Sequence, residues 1–187
     1  MAVWLLLFSV GQTERVHVEF TGQPIRIEYR PGLRAWRGKL LSGGNAGSEV
    51  HAASFLRERL IVLDSTLSRN GKERDRILAH ELFHFAWWRA GNPLRVSYEH
   101  VVRSELLAKI AGEAGWSAEW RKDALEPDDR RYRTRRWREY ICESFCDTGA
   151  LLLCELDTHH EMTLPRRAWK TRRDWFEGIA IPSSLKI

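Results

Sequence analysis

Residues 77–88 read Ile-Leu-Ala-His-Glu-Leu-Phe-His-Phe-Ala-Trp-Trp, with His80 and His84 four apart and Glu81 directly after the first histidine. On a helix, residues four apart stack one turn above each other on the same face. Two imidazoles placed in that way can take adjacent corners of a tetrahedral zinc ion. Glu81 is turned from His80 by about 100°. It therefore flanks the metal instead of binding it, and can take a proton from a water that the metal has acidified. Hydrolysis is the chemistry this spacing suggests, provided that the chain supplies a third ligand and leaves one position open.

The longer pattern His-Glu-x-x-His-x-x-Gly-x-x-His is excluded, because Trp87 and Ala90 stand where a glycine and a further histidine would be needed. A carboxylate from a second helix is the alternative. Glu143-Ser144-Phe145-Cys146-Asp147 puts two acids one turn apart on one face, among the apolar residues Ile141, Phe145, Leu151, Leu152 and Leu153. Acids in a buried helix need partners such as a metal or a hydrogen-bonding histidine. Glu143 is the expected third ligand, with Asp147 accepting the outer N–H of a liganding histidine and fixing its tautomer. His100, His159, His160 and Asp147 are the competing ligands.

The pair His-Glu-x-x-His and Glu-x-x-x-Asp resembles the gluzincin metallopeptidases, the thermolysin-like group. The resemblance spans roughly residues 55–157 and includes small single-domain members that cut transcription factors. It implies zinc on His80, His84 and Glu143, Glu81 as general base and Asp147 behind the ligands. It also implies a substrate-binding edge strand above the motif helix, for which Arg59–Asp64 is in the right place in the sequence. The departure is the stretch of about sixty residues between His84 and Glu143, longer than thermolysin's own.

Residues 1–65 are mainly strand-like and residues 70–187 mainly helical. Val16–Phe20 and Ile25–Tyr29 alternate apolar with polar residues about a Thr21–Pro24 turn, which predicts a hairpin. Trp36–Leu41 and Arg59–Asp64 read as further strands. Asn70 with Glu73 forms a capping-box pattern at the start of the motif helix, and Gly91-Asn92-Pro93 ends it. Helices are expected over His100–Ala114, from an N-cap at Ser117, over Arg130–Leu156 and over Pro165–Phe176. The expected fold is α+β and zincin-like: a small, mostly antiparallel N-terminal sheet packed on the motif helix, followed by a helical part.

With 187 residues the chain reads as one domain, 1–187, large enough for a real core. The net charge of +5 permits acidic partners without requiring them. Three cysteines, Cys142, Cys146 and Cys154, form no secreted disulfide framework, and reduced thiols in a cytoplasmic protein are the simpler reading. The apolar run Met1–Val10 is well short of the ~20 residues of a membrane span. It reads as a buried strand, with a signal core as the alternative. Cys142 and Cys146, four apart with Glu143 between them, could bind metal, but on a helix with apolar neighbours they read first as small packed hydrophobes, with Cys146 adjoining the site. Core packing is the default reading for Phe85, Trp87 and Trp88, with a cleft wall as the alternative for Trp88. Tyr98, His100, Tyr132 and Tyr140 are equal candidates for an oxyanion donor. Arginine runs at 130–138 and 166–173 interleave aromatics as nucleic-acid sites do, but acids beside them favour a solvated, ion-paired surface.

The expected function is a zinc-dependent peptidase acting on a peptide or protein substrate. The alternatives are a regulatory or nucleic-acid-binding protein with a structural zinc, and a zinc hydrolase of non-peptide amides.

Overall fold

The computed structural model describes residues 19–178 and 184–187. The expectations for residues 1–10, and most of the Val16–Phe20 strand, lie outside them. In chain order the strands are β1 (Glu19–Thr21), β2 (Arg26–Arg30), β3 (Leu33–Trp36), β4 (Lys39–Ser42), β5 (Ser48–Glu49), β6 (Ala52–Phe55) and β7 (Leu60–Asp64). After a 3-10 turn at Ser65–Arg69 come the helices α1 (Gly71–Arg89), α2 (Asn92–Leu107), α3 (Trp116–Asp123), α4 (Pro127–Tyr132), α5 (Arg135–Leu153) and α6 (Arg166–Gly178), and last β8 (Ser184–Lys186).

The apolar run Leu60–Asp64 forms β7, which is buried throughout. A strand covered on both faces reads as a continuous hydrophobic run. It is the middle of a three-stranded sheet ordered β2-β7-β6, parallel to β2 and antiparallel to β6. A second sheet, β4-β3-β5, is antiparallel, and β1 pairs in parallel with β8. Helix α1 lies between the β6–β7 side of the sheet and α5. Ile61, Leu63, Leu67, Ile77, Leu82 and Phe85 fill the space on the sheet side. Phe83, Tyr98, Trp137, Phe145, Trp175 and Phe176 fill the space among the helices. Gly149 of α5 permits this close approach, since a Cβ there would come within 2.6 Å of the Phe83 ring.

Several expectations are corrected. The hairpin between the first two strands does not form: β1 and β2 each find a parallel partner far along the chain. At Gly22 (φ +145°) the backbone takes a conformation L side chains rarely adopt, and a Cβ would meet the Ile187 carbonyl oxygen at 2.3 Å. The strands are three small sheets instead of one, with three antiparallel and two parallel pairings among the described residues. The strand expected over Trp36–Leu41 is a hairpin, turned at Arg37-Gly38, where both residues have positive φ.

Arg59–Asp64 is no edge strand, because β7 is paired on both sides; the edges of its sheet are β2 and β6. Helix α2 starts and ends earlier than expected, with Pro93 in its first turn, where no backbone N–H is needed. The long helix expected over 130–156 is two helices. Arg133 takes the left-handed conformation between them, and Thr134 caps α5. No helix among the described residues is long and apolar enough to cross a membrane.

Candidate metal centre

Helix α1 begins where Asn70 accepts the Glu73 backbone N–H. From there the helical period sets His80 and His84 one turn apart on the face toward α5. Their Nε2 atoms are 3.1 Å apart. Oε2 of Glu143, from α5, lies 3.3 Å from the His80 Nε2 and 3.9 Å from the His84 Nε2. Ligands held about 2.0–2.1 Å from a tetrahedral cation lie roughly 3.3–3.5 Å from one another. The three atoms are therefore spaced as a tridentate cradle would be. The Glu81 carboxylate is within 4.8 Å of both imidazoles.

Asp147, one turn after Glu143, accepts the His80 Nδ1–H at 2.8 Å, which directs the His80 Nε2 lone pair to the cradle. The other Asp147 oxygen accepts the Ala118 backbone N–H at 3.1 Å. Helix α3 has no side-chain cap of its own at Gly115, so Asp147 caps it from another helix. The expected N-cap, Ser117, sits inside α3 instead. Gly115 is needed there, because a Cβ would come within 2.6 Å of the Asp147 carboxyl carbon.

Three neighbours of the centre were not foreseen from the sequence. Ser117 donates its hydroxyl to Glu143 Oε2 at 2.6 Å. Arg121 pairs with Glu143 Oε1 at 3.2 Å and stacks over Trp120. Ser54 of the edge strand β6 donates to Glu81 Oε2 at 2.5 Å. A serine and an arginine four apart in α3 were the only local signal, and nothing near Ser54 in sequence points to Glu81. Exposed Trp116 and Trp120 stand on the outer side of the same short helix.

The charges of the centre do not balance among the described residues. The buried carboxylates Glu81 and Asp147 and the nearly buried Glu143 face the Arg121 guanidinium, while Arg76, which also acts on Asp147, is already paired with Glu73 and Glu161. Two negative charges are left over, which two imidazoliums or one divalent cation would neutralise. Burial alone would push His80 down, but the Asp147 and Glu143 carboxylates outweigh it and hold the imidazole well above its ordinary value. His84 is likewise raised, to about 9, because contact with Cys142 and the Glu143 charge outweigh burial. For Glu143 the facing imidazoles overcome burial and hold the carboxyl far below the usual range.

The sequence candidates divide clearly. His159 binds Glu73 at 3.2 Å, near the start of α1, and His160 stacks on His159, so neither reaches the centre. Tyr98 and Tyr140 are fully buried and bond Ser144 and Glu113, while Tyr132 and His100 are exposed. None of these four is placed as an oxyanion donor; Arg121 is the cationic donor beside the cradle. Phe85 is buried, Trp87 packs against the core, and Trp88 is half-exposed. Cys142 and Cys146 are not merely packed: both sulfurs face His84 Nδ1, each at 3.5 Å. In the arginine runs, Arg133, Arg135, Lys170 and Arg173 are ion-paired and Arg172 is fully buried.

No family model, curated protein or solved structure matches the chain.

Proposed function

We propose that the chain is a zinc-dependent metallopeptidase of the kind the gluzincin motif pair implies. The observation that carries this reading is the meeting of His80, His84 and Glu143 from two distant helices, with Glu81 alongside and Asp147 on the outer nitrogen of His80. His80 Nε2, His84 Nε2 and Glu143 Oε2 would hold the zinc, and its charge would cancel the surplus of the buried carboxylates. Bound there, zinc supplies a Lewis acid for the scissile carbonyl and lowers the pKa of a water toward neutrality.

The chain's own groups do the rest. Glu81 accepts the proton released as water attacks and delivers it to the leaving amine. The Ser54 hydroxyl holds the Glu81 carboxylate in place. Arg121, paired with Glu143 beside the cradle, would stabilise a developing oxyanion if it exchanged that bond for one to substrate. β6, the strand that carries Ser54, is an edge strand among the described residues, and such an edge can pair with an extended peptide backbone.

Two variants test this together. Glu81→Gln should abolish peptide cleavage with one equivalent of zinc still bound, and Glu143→Ala should lose most of the zinc. Full activity in Glu81→Gln, or unchanged zinc content in Glu143→Ala, would end the proposal.

A further inference from the structure

Helix α5 aims a second set of donors at the same histidine from the other side. Cys142 and Cys146 are one turn apart, and each Sγ lies 3.5 Å from His84 Nδ1; the three atoms all fall within 4.8 Å of one another. With metal–sulfur and metal–nitrogen bonds of about 2.3 and 2.0 Å, sulfur and nitrogen ligands of one ion sit roughly 3.6–3.8 Å apart. The observed spacing therefore needs almost no rearrangement to close around a cation. Cys142 and His84 are partly exposed, which gives an ion a way in, while Cys146 is fully buried. All three cysteines are free, so neither sulfur is committed to a disulfide.

We propose that Cys142 Sγ, Cys146 Sγ and His84 Nδ1 form a separate site for a soft monovalent cation of the Cu(I) class. Two sulfurs and one imidazole are a donor set that soft ions favour and hard ions avoid. Both sulfurs bind as thiolates, any protons they still carry pass to solvent, and no change of oxidation state is needed when the ion arrives as Cu(I). The site shares a ring with the zinc cradle, which uses the opposite nitrogen. A neutral imidazole has one lone pair to give, so the two ions compete for His84.

The test is an anaerobic titration of the zinc-free chain with Cu(I) against a colorimetric chelator, with X-ray absorption to identify the ligands. Wild type should bind one equivalent through two sulfurs and one nitrogen. Cys142→Ala and Cys146→Ala should each weaken binding at least tenfold, and Cys154→Ala should not. Cys142 is only half-buried, so its variant stays informative if Cys146→Ala folds poorly. Glu143→Ala should keep Cu(I) at full affinity. Loss there would place the ion in the zinc cradle and overturn the proposal, as would undiminished binding by Cys142→Ala. In wild type, added zinc should weaken Cu(I) binding; this arm alone rests on the zinc reading, and independent binding of the two ions would refute the shared ring.

Discussion

Helix α5 presents two buried clusters of charge on neighbouring faces, and the chain completes them differently. Thr148 accepts from Arg172, whose guanidinium is fully buried between Glu105 and Glu113, and Ser144 donates to Glu113. Lys122 and Tyr140 also reach Glu113. Two carboxylates meet two cations, and the cluster is neutral without help. One residue earlier along the helix, Glu143 and Asp147 look toward His80, His84 and Arg121; with Arg76 already shared between Glu73 and Glu161, the carboxylates there outnumber the permanent cations among the described residues. A buried charge left without a partner is costly. The first cluster therefore acts as a fastening that ties α6, and the segment after α2, to α5. The second calls for protons or a cation, which is what a metal centre needs and a fastening does not.

This contrast can be broken most forcefully at Arg172. Arg172→Met leaves Glu105 and Glu113 buried without their main cation and should cost about 3–5 kcal/mol of unfolding free energy. Denaturant curves should show that loss equally with and without zinc. A loss that zinc reverses would mean the two clusters are one.

Asp147→Ala should weaken zinc binding by about 10–100-fold. It should also cost the metal-free chain about 1 kcal/mol, because α3 loses its cap. A competition titration and a melt measure the two effects separately. Gly115→Ala probes the same carboxylate by crowding it, since the new Cβ would overlap Asp147. Its effect on zinc affinity should have the same sign as that of Asp147→Ala and be smaller.

The pH dependence sharpens the same contrast. His84 is raised from 6.5 to about 9 in the folded metal-free chain, and His80 is raised as well. A raised histidine contributes stability that is fully present below its unfolded value and is lost as pH rises through the folded one. The metal-free protein should therefore lose stability from about pH 6.5 to 9 relative to Glu143→Ala. Zinc affinity should climb over the same interval, since the two imidazoles must be neutral to bind. A metal-free stability that rose across that window would contradict the charge balance proposed for the centre.

Much of α1 was legible in the sequence because its signals are local. Asn70 fixes where the helix starts, and the period of the helix then fixes the relation of His80, Glu81 and His84. The same period puts Glu143 beside Asp147. The pairing of β2 with β7 was not legible, since an alternating strand does not say which partner it will take. Arg121 and Ser54 were missed for a similar reason: each reaches the centre across a gap that only packing closes.

By itself the sequence determined the donor types and their order along two helices, because a helix repeats every 3.6 residues whatever surrounds it. Only the tertiary structure decided that these helices meet face to face, that β7 is central and β6 is the edge, and that both cysteine sulfurs face His84. Those outcomes depend on contacts between residues far apart in the chain, and no local periodicity encodes them.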